Sequence, residues 1–309
     1  RNAPGLINVA YHPRLFHDGR EGALETQVWG PLLAPDEMAN PSLGHVLDRL
    51  RALPDYAGLF EAAFAGRGAS ADTVGAALAS FQRTLVSGDS RFDRYRYGGM
   101  SDALSAEERA GLAIFTGKGR CATCHLIGER DALLSDFAYH NTGIGWLRSQ
   151  EGGAVEVELA PGVRARMSAA VVRSIGAAPR SDLGRFEITR DPRERWAYRT
   201  PMLREVAGTA PYMHDGSLPT LEAVVEYYDR GGAGAPGQSP LIAPLQLSAA
   251  ERAALVAFLR ALSGRLAKPA LDLFFSCEHR LDQVLAQSPS IIGNGDHMQR
   301  HRRDQHVDV

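Results

Sequence analysis

Five consecutive residues, Cys121-Ala122-Thr123-Cys124-His125, constrain this chain more than any other feature in it. Two thiols at this spacing can add to the two vinyl groups along a porphyrin edge, and the histidine that follows is then placed under the iron as proximal ligand. The motif is therefore read first as an attachment site for c-type haem. Two other chemistries also use paired cysteines. A thioredoxin-like redox pair wants a βαβ context, which is missing, and a zinc site wants a second Cys/His pair at suitable spacing. The remaining Cys/His cluster, Cys277-Glu278-His279, lies where the apolar pattern decays, and Cys277 is read as a bystander thiol. Three cysteines in 309 residues cannot build a disulfide framework.

The length suggests two domains at roughly 150 residues each. A hydrophobic share of 44%, a charged share of 23% and a net charge of -2 exclude wholesale disorder and a polybasic surface, so no nucleic-acid partner is expected. No stretch approaches the roughly 18 consecutive apolar residues of a membrane helix. The start, Arg1-Asn2-Ala3-Pro4, is neither an initiator Met nor a signal peptide, and a chain cut at its N-terminus is expected.

With 32 Gly, 17 Pro and few alternating β-branched runs, the chain is expected to be all-α, its helices joined by long irregular connections. Val74, Ala77, Leu78, Phe81 and Leu85 mark a helix over Asp72 to Leu85, stopped by Ser87-Gly88. Ser105-Ala106-Glu107-Glu108 is a capping box that opens a helix leading into the cysteine motif. Ser248-Ala249-Ala250-Glu251 repeats the box, and Leu255, Phe258, Leu259 and Leu262 continue it as far as Ser263-Gly264. Phe81-Gln82-Arg83-Thr84-Leu85 is echoed by Phe258-Leu259-Arg260-Ala261-Leu262, as if each closed a domain. The expected division is a partial first domain over 1–95, a complete second one over 96–264, and a disordered tail over 265–309.

Several further stretches sharpen this reading: Asn2-Ala3-Pro4, Phe16-His17-Asp18-Gly19-Arg20, Gln27 through Gly30-Pro31 to Glu37-Met38, Arg83-Thr84-Leu85, His140-Asn141-Thr142-Gly143, Arg199-Thr200-Pro201, and Ala210-Pro211-Tyr212-Met213-His214-Asp215-Gly216-Ser217. With the cysteine motif, they make the chain resemble the bacterial di-haem cytochrome c peroxidases and their MauG-like relatives from Arg1 to about Gly264. The resemblance implies two cytochrome c-like helical domains, each with a covalent haem, a calcium ion between them, and a periplasmic address. One haem belongs to this sequence, and the motif for the first is expected ahead of Arg1.

By that resemblance Gln27, Pro31 and Glu37 line the peroxide pocket of the first haem. Splitting peroxide requires a proton to move from the inner to the outer oxygen so that water can leave, and Glu37 is the expected shuttle. A solvated Glu at a helix start after Pro35-Asp36 is the alternative, and Gln27 and Trp29 can equally be packing residues. His17 stands where the family commonly has an aromatic residue between the haems. It is read as a bridging hydrogen-bonding residue, a propionate partner or a structural His. The family places Met on the far side of the second iron in the peroxidases and Tyr in the MauG-like proteins. Tyr228 is preferred here over Met213 and over Tyr227. The calcium ligands implied are the Asn2 side chain and the carbonyls of Thr209 and Pro211, although Asn2 is also an ordinary turn residue. His214-Asp215-Gly216 is read as a haem-edge or propionate loop, and Arg199 as a propionate partner.

The function implied is a periplasmic di-haem oxidoreductase that reduces hydrogen peroxide. Its electrons would come from a small donor protein such as a cytochrome c or cupredoxin, relayed through the haem of Cys121, Cys124 and His125. MauG-like oxidation of a protein side chain, a mono-haem electron carrier and a zinc module are the alternatives, and a homodimer is compatible with all of them.

Overall fold

Two helices crossing at a glycine organise the half of the chain that carries the cysteine motif. The computed structural model describes residues 1–150, 154–160, 162–168 and 182–267. Helix Ala106–Thr116 starts as the capping box requires: Glu108 N donates to Ser105 Oγ at 3.1 Å, and Ser105 N donates to the Glu108 carboxylate at 2.8 Å. Helix Ala249–Arg260 starts in the same way on Ser248 and Glu251, at 3.2 and 2.7 Å. Their apolar faces supply Phe115, Leu255, Phe258 and Leu259 to the main core, where Phe258 meets Phe92 and Phe115 edge-on at 5.6 and 5.1 Å. A Cβ on Gly111 would lie 2.0 Å from the Ala254 carbonyl oxygen and 2.7 Å from Phe258 Cβ, so the two backbones touch there. Helix Leu221–Asp229, capped by Thr220, adds Leu221 and Val225 to the same core.

The N-terminal part is built around helix Ala71–Thr84, close to the expected 72–85 and capped by Ser70 and Thr73. The short helix Leu24–Gln27 lies against it at Gly75, whose added Cβ would stand 2.4 Å from the Glu25 carbonyl. Val9, Leu15, Leu24 and Ala79 form one small core there, and Leu47, Phe60 and Val74 a second. Residues Arg1–Leu266 make one compact unit. Two polar joints tie its ends and middle. Buried Asn8, at φ 61°, accepts from Ser87 N at 3.0 Å and donates to Ser87 O at 3.2 Å. Asp93, which caps helix Arg91–Arg96 through Ser90, also binds the Arg204 guanidinium, whose Nε donates to the Ala132 carbonyl at 2.8 Å.

The all-α expectation is corrected by three two-stranded antiparallel sheets among the described residues. Ser87–Gly88 pairs with Arg265–Leu266, Tyr139–Asn141 with Ala197–Arg199, and Ala154–Ala160 with Val163–Ser168. The first two are two and three residues long, too short for a period-2 pattern to register, and their partners are far apart in sequence. The hairpin did carry its signal: Val155, Val157 and Leu159 alternate with Glu156 and Glu158, and Gly162 at φ 77° makes the turn. The tail beyond residue 267, including Cys277 and His279, lies outside the described residues.

Gly111→Ala is expected to lower stability by about 2–3 kcal/mol, because a methyl group must push two backbones apart. The denaturation midpoint should move while the slope stays constant. Arg204→Leu is expected to cost about 1–3 kcal/mol by leaving the half-buried Asp93 carboxylate without its cation. Burial pushes Asp93 up, but the bonds from Arg204 and Ser90 prevail and hold it below its ordinary 3.8. Its stabilisation is therefore present above that value and lost as the pH falls through the lowered one. The acid limb of the stability profile should flatten in Arg204→Leu.

Candidate functional site

The cysteine motif hangs directly from the helix pair. Helix Ala106–Thr116 ends at Gly117, and Cys121–Thr123 form a single 3-10 turn whose Cys121 and Ala122 pack on the main core. Both thiols are free. Burial pushes the Cys121 thiol up to about 12, the opposite of the low value that a thioredoxin-like nucleophile needs. His125 Nδ1 donates to the Leu134 carbonyl at 2.8 Å, because a carbonyl can only accept. That bond fixes the ring and its tautomer and leaves Nε2 with its lone pair. Burial lowers the His125 pKa further, so the imidazole is neutral, as a metal ligand must be.

Tyr227 and Tyr228 are adjacent on helix Leu221–Asp229 but differ in use. The Tyr227 hydroxyl donates to the Thr142 carbonyl at 2.7 Å, which occupies it structurally. The Tyr228 hydroxyl makes no hydrogen bond among the described residues. Burial pushes its pKa well up, and Tyr227 and the Cys121 and Cys124 thiols are close enough to add to the shift. A phenol so placed beside the thiols suits an axial ligand. Met213 sits at φ 70° in the loop that follows Pro211, with its carbonyl accepting from Gly216 N at 3.3 Å.

One pair near the motif escaped the sequence reading. His140 Nε2 lies 2.8 Å from Asp136, and their ligand atoms fall with Cys124 Sγ inside 4.8 Å of one another. The bond to Cys124, then that to Asp136, raises His140 to about 9. Conversion of Cys124 to a thioether removes it from such a trio, so the trio belongs to the attachment loop. The pair lies in a connection without helical periodicity, where its four-residue spacing carries no signal.

The calcium residues converge in part. Asn2 Nδ2 donates to the Pro211 carbonyl at 2.8 Å, and Asn2 N donates to the His214 carbonyl at 2.7 Å. The same amide turned over would set Oδ1 beside that carbonyl, a pair of the hard oxygens that calcium takes. Thr209 lies two residues earlier in the same loop, its Oγ1 donating to the Val206 carbonyl at 3.1 Å. His17 Nε2 meets the Asn2 carbonyl at 2.9 Å, and its ring stands edge-on to His214 at 6.4 Å. His214 is buried and stacks on Tyr198 with ring centres 3.5 Å apart. Burial lowers both histidines, so both are neutral.

Gln27 and Pro31 follow one another on the short helices Leu24–Gln27 and Trp29–Leu33. Glu37 sits in an exposed turn, not at a helix start, with its N–H donating to the Ala34 carbonyl at 3.0 Å. Gln82, from helix Ala71–Thr84, donates to Gln27 Oε1 at 3.5 Å and keeps its own buried oxygen unpartnered. The sequence showed Gln82 only as a polar residue next to Phe81. Trp29 packs against the Leu47, Phe60 and Val74 core.

The donor set fits a protein that holds c-type haem by two thioethers and an imidazole. A family described as di-haem cytochrome c peroxidase matches residues 1–101, and one described as RoxA-like, cytochrome c-like matches residues 197–232. Methylamine utilization protein MauG of Methylorubrum extorquens is 38% identical over 265 residues, which cover 85% of this chain and 64% of that protein. Cytochrome-c peroxidase IdrP1 of Pseudomonas sp. (strain SCT) is 35% identical over 268 residues, covering 85% and 68%. A MauG-like protein associated with microbial copper homeostasis superposes with a TM-score of 0.67 at 32% identity, over 87% of this chain and 78% of that one. The chain thus belongs to the di-haem cytochrome c peroxidase and MauG family of haem c oxidoreductases, and it spans about two-thirds of the length of these two curated relatives.

Protein matured where c-type haem is attached is expected to retain one haem per chain through this sequence after denaturation, as read by mass spectrometry. Cys121→Ala should weaken that retention, because one of the two thioether bonds cannot form.

Proposed function

We propose that this chain is the electron-relaying and peroxide-pocket portion of a periplasmic di-haem peroxidase. Cys121 and Cys124 would hold one haem covalently, and His125 and Tyr228 would be the ligands of its iron. The observation that carries this is the His125–Leu134 bond, which presents a fixed, neutral imidazole beside two free thiols. Bound there, the haem supplies a one-electron centre. Tyr228 would supply a hard anionic oxygen once its proton has left, and His125 keeps its Nδ1 proton directed at the Leu134 carbonyl.

Residues 1–95 provide the walls of the peroxide pocket for the family's other haem. Glu37 would take a proton from peroxide and return it to the departing oxygen, Gln27 would orient the oxidant, and Pro31 would form a wall. Asn2, Pro211 and Thr209 provide oxygens for a calcium ion that joins the two parts. A small cytochrome c or cupredoxin donates the electrons. In protein carrying both haems, Glu37→Gln is expected to slow peroxide turnover by about 10² or more with the haem spectrum unchanged. Unaltered turnover would remove Glu37 from the mechanism.

Tyr228 favours a second reading, oxidation of a protein side chain in the manner of MauG. An anionic oxygen stabilises ferric iron, so the haem should resist mild reductants. Tyr228→Met is expected to raise the reduction potential and Tyr228→Phe to open the site, while Met213→Leu does neither. A near-infrared band typical of Met ligation that disappears in Met213→Leu would instead assign the site to an ordinary electron-transfer haem.

A further inference from the structure

Helix Ala71–Thr84 carries a long polar side chain on its buried face. Gly75, Ala79 and Gln82 stand four and three residues apart, so they share the face that meets the short helix Leu24–Gln27. Three contacts fix how the two helices meet. The backbone at Gly75 lies against the Glu25 carbonyl, fully buried Ala79 packs with Leu24, and Arg83 binds Glu25 from outside at 2.8 Å. At the end of this face Gln82, 8% exposed, reaches Gln27, the last residue of the short helix. A leucine or methionine would fill that place without a polar atom. Gln82 instead keeps its Oε1 closed to solvent and without a hydrogen-bond partner among the described residues. A buried unpaired acceptor opposes folding, so this oxygen calls for a ligand.

The chemistry of that ligand follows from what the two amides leave over. Each offers one carbonyl oxygen and one NH2 group. Gln82 Nε2 donates to Gln27 Oε1 at 3.5 Å, the long end of the hydrogen-bond range, so the side chains meet without closing tightly on each other. That contact spends one oxygen and one N–H. Gln82 Oε1 remains as an acceptor and Gln27 Nε2 as a donor. Turning both amides over exchanges the two residues but leaves the same remainder. Such a remainder suits a molecule that can both donate and accept. An anion such as azide offers no hydrogen to the free carbonyl, and the enclosure of the Gln82 oxygen favours a molecule of one or two heavy atoms.

Hydrogen peroxide meets these demands with both of its oxygens. We propose that Gln82 is a substrate-binding residue, and that the Gln27–Gln82 amide pair is a two-point receptor for undissociated hydrogen peroxide. One O–H of the peroxide donates to Gln82 Oε1, and its other oxygen accepts from Gln27 Nε2. Neither amide titrates, so the pair binds and orients the oxidant and leaves the movement of its proton to another group. The inference rests on the reading of Gln27 as a residue of the peroxide pocket and adds to it a partner on a second helix. A buried water has the same donor and acceptor chemistry and would give Gln82 a structural role alone. The KM for peroxide separates the two.

The test uses protein carrying both haems, with steady-state peroxide turnover and the denaturation midpoint as readouts. Gln82→Leu is expected to raise the KM for hydrogen peroxide about tenfold and to hold kcat within about twofold, because the lost contact is made alike in the bound substrate and the transition state. Its denaturation midpoint should stand level with or above that of the unmodified protein, since a buried unpaired oxygen is gone. Gln27→Leu should raise the KM by a similar factor, and the double variant by no more than either alone, because the pair binds as a unit. An unchanged KM in Gln82→Leu beside a raised one in Gln27→Leu would overturn the inference and leave the pocket reading intact. An unchanged KM in both would overturn the pocket reading as well. A lowered midpoint with an unchanged KM would assign the Gln82 oxygen to a structural water. Additive effects in the double variant would overturn the pairing. If Gln82→Leu does not accumulate, Gln82→Met decides by the same measurements.

Discussion

The backbone contact at Gly111 is the constraint on which the rest of the haem-bearing half depends. Because helices Ala106–Thr116 and Ala249–Arg260 touch there, Phe115 and Phe258 interlock, and the end of the first helix is held at one height above the core. The cysteine motif begins five positions after that helix ends and packs Cys121 and Ala122 on the same core. Covalent attachment to a porphyrin needs two sulfurs and an imidazole at fixed relative positions. A rigid helix pair supplies this more reliably than a mobile loop.

Around that anchor the protein arranges polar groups that a haem would complete. His125 has spent one ring nitrogen on a carbonyl and keeps the other available. Tyr228 has a hydroxyl with no hydrogen bond among the described residues, although its neighbour Tyr227 has one. Arg199 carries a buried charge that, among the described residues, a neutral histidine and a carbonyl attend. The Arg199 arrangement is costly by itself, since an unpaired buried cation opposes folding. In the N-terminal part, Gln27 faces Gln82 at 3.5 Å, and Glu37 lies exposed on its turn.

The neutral histidines have a common cause. His12, His17 and His214 are each pushed below the ordinary imidazole value chiefly by burial, and an arginine adds to the effect for each. They serve as uncharged hydrogen-bond or stacking elements between segments distant in sequence. His17, at the place where the family commonly carries another aromatic residue, links the Asn2 carbonyl to the His214 ring. A bridging role for that position is therefore better supported than a charged one.

What the sequence determined by itself is what short-range chemistry encodes. The Cys121–His125 motif states its own ligand, and the boxes at Ser105 and Ser248 locate two helix starts because the bonding groups are three residues apart. Helical periodicity likewise placed Ala71–Thr84 to within a residue. The alternation in Val155, Val157 and Leu159 is equally local, but it is one short run in a chain otherwise poor in β-branched alternation. Only the tertiary structure decided the rest. Arg199 meets His12 across 187 positions and Asn2 meets Pro211 across 209. The Tyr139–Asn141 and Ala197–Arg199 strands are too short to announce themselves. Whether a buried charge is compensated depends on which distant segments the core brings together, and no local pattern records the partner that is missing.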